Sequence, residues 1–190
     1  MVSGAIISGL SESPNIRREL RPGELGAIIS LHGRLYSDEY GVDSSFEAFV
    51  GSSVVRAALR GWPHEQGGVW VVESGGRLAG SVGYTDEGDG TAVLRWVLLE
   101  PSLRGRGLGR RLISELIDEV RAGGFTRIRL ETFSELRGAA KIYRDLGFEV
   151  VHSETGPRWG RDEITYQHYE LMLEAGCSAS AADPAAAQAR

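Results

Sequence analysis

Between Val93 and Arg111 the chain reads Val-Leu-Arg-Trp-Val-Leu-Leu-Glu-Pro-Ser-Leu-Arg-Gly-Arg-Gly-Leu-Gly-Arg-Arg. Four cations, Arg104, Arg106, Arg110 and Arg111, surround Gly105, Gly107 and Gly109 in a chain whose formal net charge is −5. Glycine has no Cβ, so the backbone there can turn tightly, approach a ligand closely and aim successive N–H groups outward. Cations and free amides at a helix entrance favour an anionic ligand, phosphate above all. The Gly-Lys-Ser/Thr ending of a Walker A loop is missing, and the three glycines do not spell the G-x-G-x-x-G of a dinucleotide site.

Such a loop needs a strand before it and a helix after it. Val93 to Leu99 is an apolar run with β-branched and aromatic members, stopped by Pro101, and predicts a buried strand. From Leu108, apolar residues recur at Leu112, Ile113, Leu116, Ile117 and Val120, with Gly123-Gly124 as the stop. Thr126 to Thr132 then alternates Ile128 and Leu130 with Arg127, Arg129 and Glu131 as a strand would. Strand, helix, strand implies a parallel pair with a right-handed crossover. The glycine loop falls at the carboxyl end of its first strand, where open α/β sheets bind ligands.

The rest of the chain can be placed around this unit. Ile16 to Leu20 reads as a short first strand. Pro22-Gly23-Glu24 opens a helix with Leu25, Ile28, Ile29, His32, Leu35 and Tyr36 on one face; on that face His32 reads as a core residue rather than a catalytic one. Tyr36 to Asp43, with Asp38, Glu39 and Asp43, reads as a polar connector more readily than as an acidic lip for a cationic amine. Ser44 and Glu47 form a capping-box pattern before Phe46, Phe49, Val50, Val54 and Ala57, predicting a second helix. Val69 to Glu73 and Arg77 to Tyr84 flank Gly75-Gly76 as a hairpin, and Asp86 to Gly90 turns into the Val93 strand, completing a three-stranded meander. Ser134 can cap a helix carrying Ala139, Ala140, Ile142, Tyr143 and Leu146 before Gly147. Phe148 to His152 and Ile164 to Leu173 close the order as strands, with Gly156-Pro157-Arg158-Trp159-Gly160 between them as a loop that either closes over a site or simply turns.

With 190 residues, 42% of them hydrophobic, the chain can bury one substantial core. Its acidic balance argues against a nucleic-acid partner. No window approaches a membrane span and no basic residue precedes Ala5-Ile6-Ile7, so neither a membrane nor a secretory role is expected. The single cysteine, Cys177, excludes a disulfide framework and suits the cytoplasm. A flexible arm is expected over residues 1–15, the folded domain over 16–174 and a disordered Ala-rich tail over 175–190.

Arg104-x-x-Gly107-x-Gly109 after a buried strand resembles the acyl-CoA pyrophosphate loop of the GNAT family of N-acetyltransferases. Ala139-x-x-x-Tyr143-x-x-x-Gly147-Phe148 is a second, separate match, and the element order from Ile16 to Leu173 is similar to the whole fold of that family. The resemblance implies an α/β fold with a mixed, mostly antiparallel sheet, one splayed parallel pair and helices on both faces. It implies acetyl-CoA as cosubstrate, with the backbone of Val97, Leu98 and Leu99 along the pantetheine arm and the loop from Arg104 through Gly105, Arg106, Gly107, Leu108 and Gly109 to Arg110 around the pyrophosphate. Ala140 belongs to the matching helix, and Tyr143 takes the place of the tyrosine beside the thioester sulfur. Many members carry Asn seven residues before that tyrosine; here Leu136 stands there, so that cofactor contact falls to another group such as Ser134. The Leu94-Arg95-Trp96-x-Leu98-Leu99 and Thr132-Phe133-Ser134-Glu135-Leu136 segments resemble members that occur alone or behind a MarR-type regulator, for which Met1 to Pro22 is too short.

The reaction implied is transfer of acetyl from acetyl-CoA to a primary amine. A phenol near pKa 10 stays protonated at pH 7 and can donate to a thiolate, so Tyr143 suits that role. Glu131 is the base expected from the sequence, with Glu100 as the other carboxylate in reach of it. No His and carboxylate spacing calls for a metal. A sensor that binds acyl-CoA without turning it over is the competing reading, and a homodimer is left open.

Overall fold

Seven strands form one sheet in a computed structural model that describes residues 13–173. The expected tail over 175–190 and nearly all of the expected arm over 1–15 lie outside the described residues. In chain order the elements are β1 (Asn15–Arg17), α1 (Glu24–Tyr40), α2 (Ser44–Leu59), β2 (Gly67–Ser74), β3 (Arg77–Asp86), β4 (Thr91–Leu99), a 3-10 turn (Pro101–Leu103), α3 (Leu108–Ala122), β5 (Arg127–Phe133), α4 (Arg137–Asp145), β6 (Glu149–Arg158) and β7 (Arg161–Met172). The sheet order is β1-β2-β3-β4-β5-β7-β6, with β4 and β5 its parallel pair.

Helices cover both faces. Alternate residues of β2 divide the core: Trp70 and Val72 pack with Leu112, Leu116 and Val120 of α3, while Val69 and Val71 pack with Ile28 of α1 and Val54 of α2. Burial on both faces explains why β2 and β3 read as nearly continuous apolar runs.

Several boundaries differ from the sequence-based expectation. The first strand stops at Arg17, which pairs with Glu24 and Glu73, and Arg18 turns aside to lay its guanidinium 3.7 Å over the Trp70 ring. Tyr36 to Tyr40 is the last turn of α1 rather than connector, and Gly41, at φ 68°, ends the helix. The cap of α2 is Asp43, not Ser44: its carboxylate accepts from the Ser45 hydroxyl and the Ser45 N–H, which together hold its pKa below the usual carboxylate range. Ser134 does not cap α4, because its N–H donates to Thr165 O across the sheet and the helix starts after Leu136. The expected 156–160 loop is strand up to Arg158, closed by a two-residue turn in which both Trp159 (φ 51°) and Gly160 (φ 76°) are left-handed. Such a turn matches the twist of a hairpin, so β6 and β7 pair all the way to Arg158 and Arg161.

The parallel pair is brief. Only Thr91 to Val93 of β4 lie beside Arg127 to Arg129 of β5. Beyond that, β4 follows β3, whose Gly83 faces Arg95 while Ser81 faces Leu98. One residue of β3 thus stands opposite Trp96 and Val97 together. This is a β-bulge, which bends the strand that carries the extra residue. Trp96 takes φ 49° there, a conformation that costs of order 1–3 kcal/mol in a non-glycine residue. Its neighbours hold it: Trp96 Nε1 donates to Ser53 Oγ (2.9 Å), Ser81 Oγ donates to Trp96 O (2.7 Å), and the Trp62 ring lies 4.5 Å away. The bulge turns β4 away from β5 and opens a gap in the middle of the sheet.

Candidate active site

On the α3 and α4 side of the gap runs a groove of about 740 Å³, bordered by Val97, Leu98 and Leu99 of β4, Arg104, Gly105 and Gly107 to Arg110 of the loop, and Gly138, Ala139 and Ile142 of α4. Gly105 and Gly107 have φ of 76° and 77°, and an added Cβ at either would meet nothing within 4 Å. Their conformation, not crowding, requires glycine, and it leaves the main chain bare toward the groove. The first backbone N–H after Arg104 that finds a protein acceptor is that of Arg111, which donates to Gly107 O. Among the described residues, the six N–H groups from Gly105 through Arg110 have no protein partner. That is the donor array a diphosphate needs at the positive end of a helix.

The arginines around the loop divide their work. Arg104 donates from Nε to Leu99 O (2.7 Å) and pairs with Glu39 (2.7 Å), tying the loop to β4 and to α1. Glu39 is thereby a loop anchor and Asp43 a helix cap. Arg110 pairs with Asp145 at the groove edge, and Arg111 pairs with Glu115 on the far face of α3. Arg106 borders a separate hollow with Pro14, Leu103 and Arg111 rather than the groove. Ser134 and Ala140 do not border the groove either: Ser134 is engaged with Thr165 and Glu135, and Ala140 is buried in the core.

A second cavity, of about 110 Å³, lies on the α1 and α2 side of the gap. His32, Tyr36, Phe46, Phe49, Trp96, Phe133, Trp159 and Tyr166 contribute to its walls, with Tyr143 and Glu131. Tyr36, Val97 and Leu136 border both the groove and this cavity, so the two spaces meet where β4 parts from β5. Trp159 reaches the cavity because the left-handed turn swings it onto Phe46 and Phe49, at 4.9 and 5.4 Å between ring centres, and its carbonyl accepts from the Asp43 N–H.

Tyr143 is buried against Phe148 and Tyr169, and desolvation raises its pKa well above that of an ordinary phenol. Its hydroxyl has no partner among the described residues and stays protonated across the neutral range. Glu131 stands at the outer edge of the cavity, half-exposed, with its Oε2 accepting from Tyr166 OH at 2.8 Å and the His168 ring 3.9 Å away. Burial, and then Glu131, push the Tyr166 hydroxyl upward, so it too remains a donor. Glu100 lies elsewhere: the bidentate Arg77 guanidinium holds its carboxyl below the usual range, in a hollow with Arg34 and Pro101. Of the two carboxylates, only Glu131 borders the cavity.

Sequence reasoning took His32 and Tyr36 for core. Both are buried, yet both also border the cavity. Nothing in the helical spacing separates the two cases, because wall and core lie on the same face of α1.

The model of the acetyltransferase (GNAT) family matches residues 33–148, from within α1 to the start of β6. The chain belongs to the GNAT acetyltransferase family. With membership come acyl transfer as its chemistry and acetyl-CoA as its cosubstrate. The L-amino acid N-acyltransferase MnaT of Escherichia coli is 28% identical over 164 residues, covering 81% of this chain and 92% of MnaT. The N-acetyltransferase YjgM of the same organism is 33% identical over 90 residues, 46% of this chain, and the match spans 54% of the length of YjgM. Among solved structures, the yncA protein of Salmonella typhimurium, determined with its cofactor acetyl-CoA, superposes with a TM-score of 0.61 over 90% of this chain and 99% of that one at 24% identity. An acetyltransferase from Streptococcus agalactiae gives 0.66 at 23% identity over 85% and 99%. These two likenesses speak to the fold, and the GNAT loop to the groove: bare amides and local cations suit the diphosphate of acetyl-CoA. Among the described residues no cluster of His, Cys, Asp or Glu could hold a metal, and no helix is long and apolar enough to cross a membrane.

Proposed function

We propose that the protein transfers an acetyl group from acetyl-CoA to a primary amine by direct attack, with the groove as donor side and the aromatic cavity as acceptor side. The observation that carries this reading is that the two spaces touch only at Tyr36, Val97 and Leu136, where the sheet is open. The cosubstrate supplies an acetyl group activated as a thioester. The amides from Gly105 to Arg110 grip its diphosphate, and the free edge of β4 from Val97 to Leu99 holds the pantetheine arm and offers an N–H to the carbonyl oxygen as charge develops. Tyr143, a buried and protonated phenol, donates to the departing sulfur.

The amine must arrive neutral. For an amine of pKa near 10.4, losing the proton at pH 7 costs about 4.6 kcal/mol, so a base is useful, and Glu131 is the carboxylate at the cavity edge. An acidic chain with a single cysteine fits work in the cytoplasm.

The test is thiol release from acetyl-CoA over a panel of amines and amino acids, for the native chain and for Tyr143→Phe. Turnover on at least one amine is expected, with kcat about 100-fold lower in Tyr143→Phe and acetyl-CoA affinity unchanged. Tight acetyl-CoA binding with no turnover on any amine would make the protein an acyl-CoA sensor instead.

A further inference from the structure

The acceptor side of this site carries its own chemical signature, and the inference drawn from it rests on the transfer reading above. His32 is 3% exposed and stacks on Tyr36, with ring centres 5.8 Å apart and planes 26° from parallel. Its Nδ1 lies 2.8 Å from Ile28 O. A carbonyl only accepts, so Nδ1 carries the proton and Nε2 of the neutral ring presents a lone pair. Burial lowers the pKa of His32 to about 4, so that lone pair persists through the neutral range. Nε2 has no partner among the described residues. No fully enclosed side-chain nitrogen or oxygen there is left unpaired, so Nε2 keeps some exposure, and the cavity is the space that His32 borders.

The rest of the wall is mostly aromatic and aliphatic, with Ser53, Thr132, Tyr143 and Tyr166 set among it. Tyr36 stacks on Phe46 at 4.6 Å, and Phe46, Phe49 and Trp159 form a continuous aromatic face leading away from His32. Charged groups border the cavity only through Arg95 and Glu131, both of which also face an outer hollow with Glu87 and His168. Arg95 is already engaged with Thr85 Oγ1 and Glu87, each at 3.2 Å. Among the described residues, a second anionic group on the acceptor would therefore find no free cation inside, and a second cation would meet only Glu131, at the outer edge.

Size sets the remaining limit. A cavity of about 150 Å³ lined by apolar side chains accepts benzene; this one measures about 110 Å³ and is open on one side. It suits a single ring or a branched chain of four or five carbons; a diamine such as putrescine is no larger than these and is disfavoured because its second charge would lie against aromatic rings.

We propose that the acceptor is a small primary amine on a compact apolar body, held with its nitrogen against His32 Nε2 beside Tyr36 and its body against Phe46, Phe49 and Trp159. The lone pair takes a hydrogen bond from the amine and so fixes the nitrogen at the gap through which the thioester is reached. His32 acts by positioning, and no proton need move to it.

The experiment has two readouts on the full chain. Calorimetric titration of benzylamine, 3-methylbutylamine, putrescine, spermidine and L-glutamate into protein saturated with CoA reads binding, and thiol release with acetyl-CoA reads turnover. Benzylamine and 3-methylbutylamine are expected to bind at least tenfold more tightly than the others, with kcat/KM in the same order. In His32→Phe, which keeps a stacked ring without the lone pair, KM for the preferred amine should rise at least tenfold while acetyl-CoA affinity stays within twofold. His32→Gln, which can offer an amide oxygen, should recover part of the loss and replaces His32→Phe if that variant fails to fold. Binding of the apolar amines without turnover would leave the acceptor assignment standing and remove the transfer reading. Preference for putrescine, spermidine or L-glutamate, no binding of any apolar amine, or an unchanged amine KM in both His32 variants would overturn the assignment.

Discussion

The two sides of the gap are built from different materials. The groove joins an apolar trough to a backbone surface: its loop half comes from one continuous run, Val97 to Arg110, and from Gly105 to Arg110 that run offers unpaired N–H groups. The cavity is a side-chain surface assembled from α1, α2, β4, β5, α4 and the β6–β7 turn. A ligand shared by a whole family can be held by main chain, since amides do not change with substitution, whereas a ligand particular to one protein must be read by side chains. On that ground the groove is the side suited to a cosubstrate and the cavity the side suited to selecting an acceptor.

The largest expected effect falls on the groove. Arg104→Glu with Gly107→Val puts a β-branched residue at φ 77°, adds an anion where the diphosphate charge would lie, and exchanges the Glu39 ion pair for a repulsion. Left-handed strain alone is of order 1–3 kcal/mol. Acetyl-CoA affinity should fall at least 100-fold by calorimetry while the far-UV dichroism spectrum is kept, because the Cβ added at 107 meets nothing within 4 Å. Native affinity in this double variant would remove the loop from the site and with it the contrast between the two sides.

That contrast also explains what could be read before folding. The loop was legible because its spacing of glycines and its change of charge sign are local, and the element order followed from periodicity. The splay of the parallel pair came with the family resemblance, but its local cause, the Trp96 bulge, left no trace in an apolar strand pattern. The acceptor wall was illegible for a related reason. Trp159 read as part of a loop that either closes over a site or simply turns, and only the pairing of β6 with β7 up to Arg158 and Arg161 fixes its place; His32 looked like core because the cavity is an interruption of the core. The capping residues were misplaced by one or two positions, since Asp43 and Ser44 both suit a helix start and only the backbone path decides between them.

The cavity makes its own mark on stability. His32 has a pKa of about 4 in the folded state, from burial, against about 6.5 when unfolded. Burial dominates, and the Ile28 carbonyl opposes it only in part. Below pH 6.5 the unfolded chain takes up a proton that the folded chain refuses, so stability is full above about pH 7 and falls as pH drops toward 4. By pH 5 the loss from this one residue is about 2 kcal/mol. His32→Phe should flatten the decline, so that urea midpoints at pH 7 and pH 5 lie closer together than in the native chain. An equal decline in both proteins would mean that His32 is not held neutral, and the cavity would then lose its lone-pair acceptor at mildly acid pH.

The smallest effect tests whether Glu131 belongs to the chemistry or only to the wall. Glu131→Gln keeps an oxygen to accept from Tyr166 OH, so the packing at that edge survives and only the charge is removed. A carboxylate this exposed acts through water and should be worth about tenfold in kcat/KM at pH 7, below the range of directly placed bases. A base is needed only while the amine is protonated. The deficit should therefore shrink as pH rises toward the pKa of the free amine, and vanish above it. A tenfold deficit that stays constant with pH would assign Glu131 to shaping the cavity, and the proton would then leave by way of solvent alone.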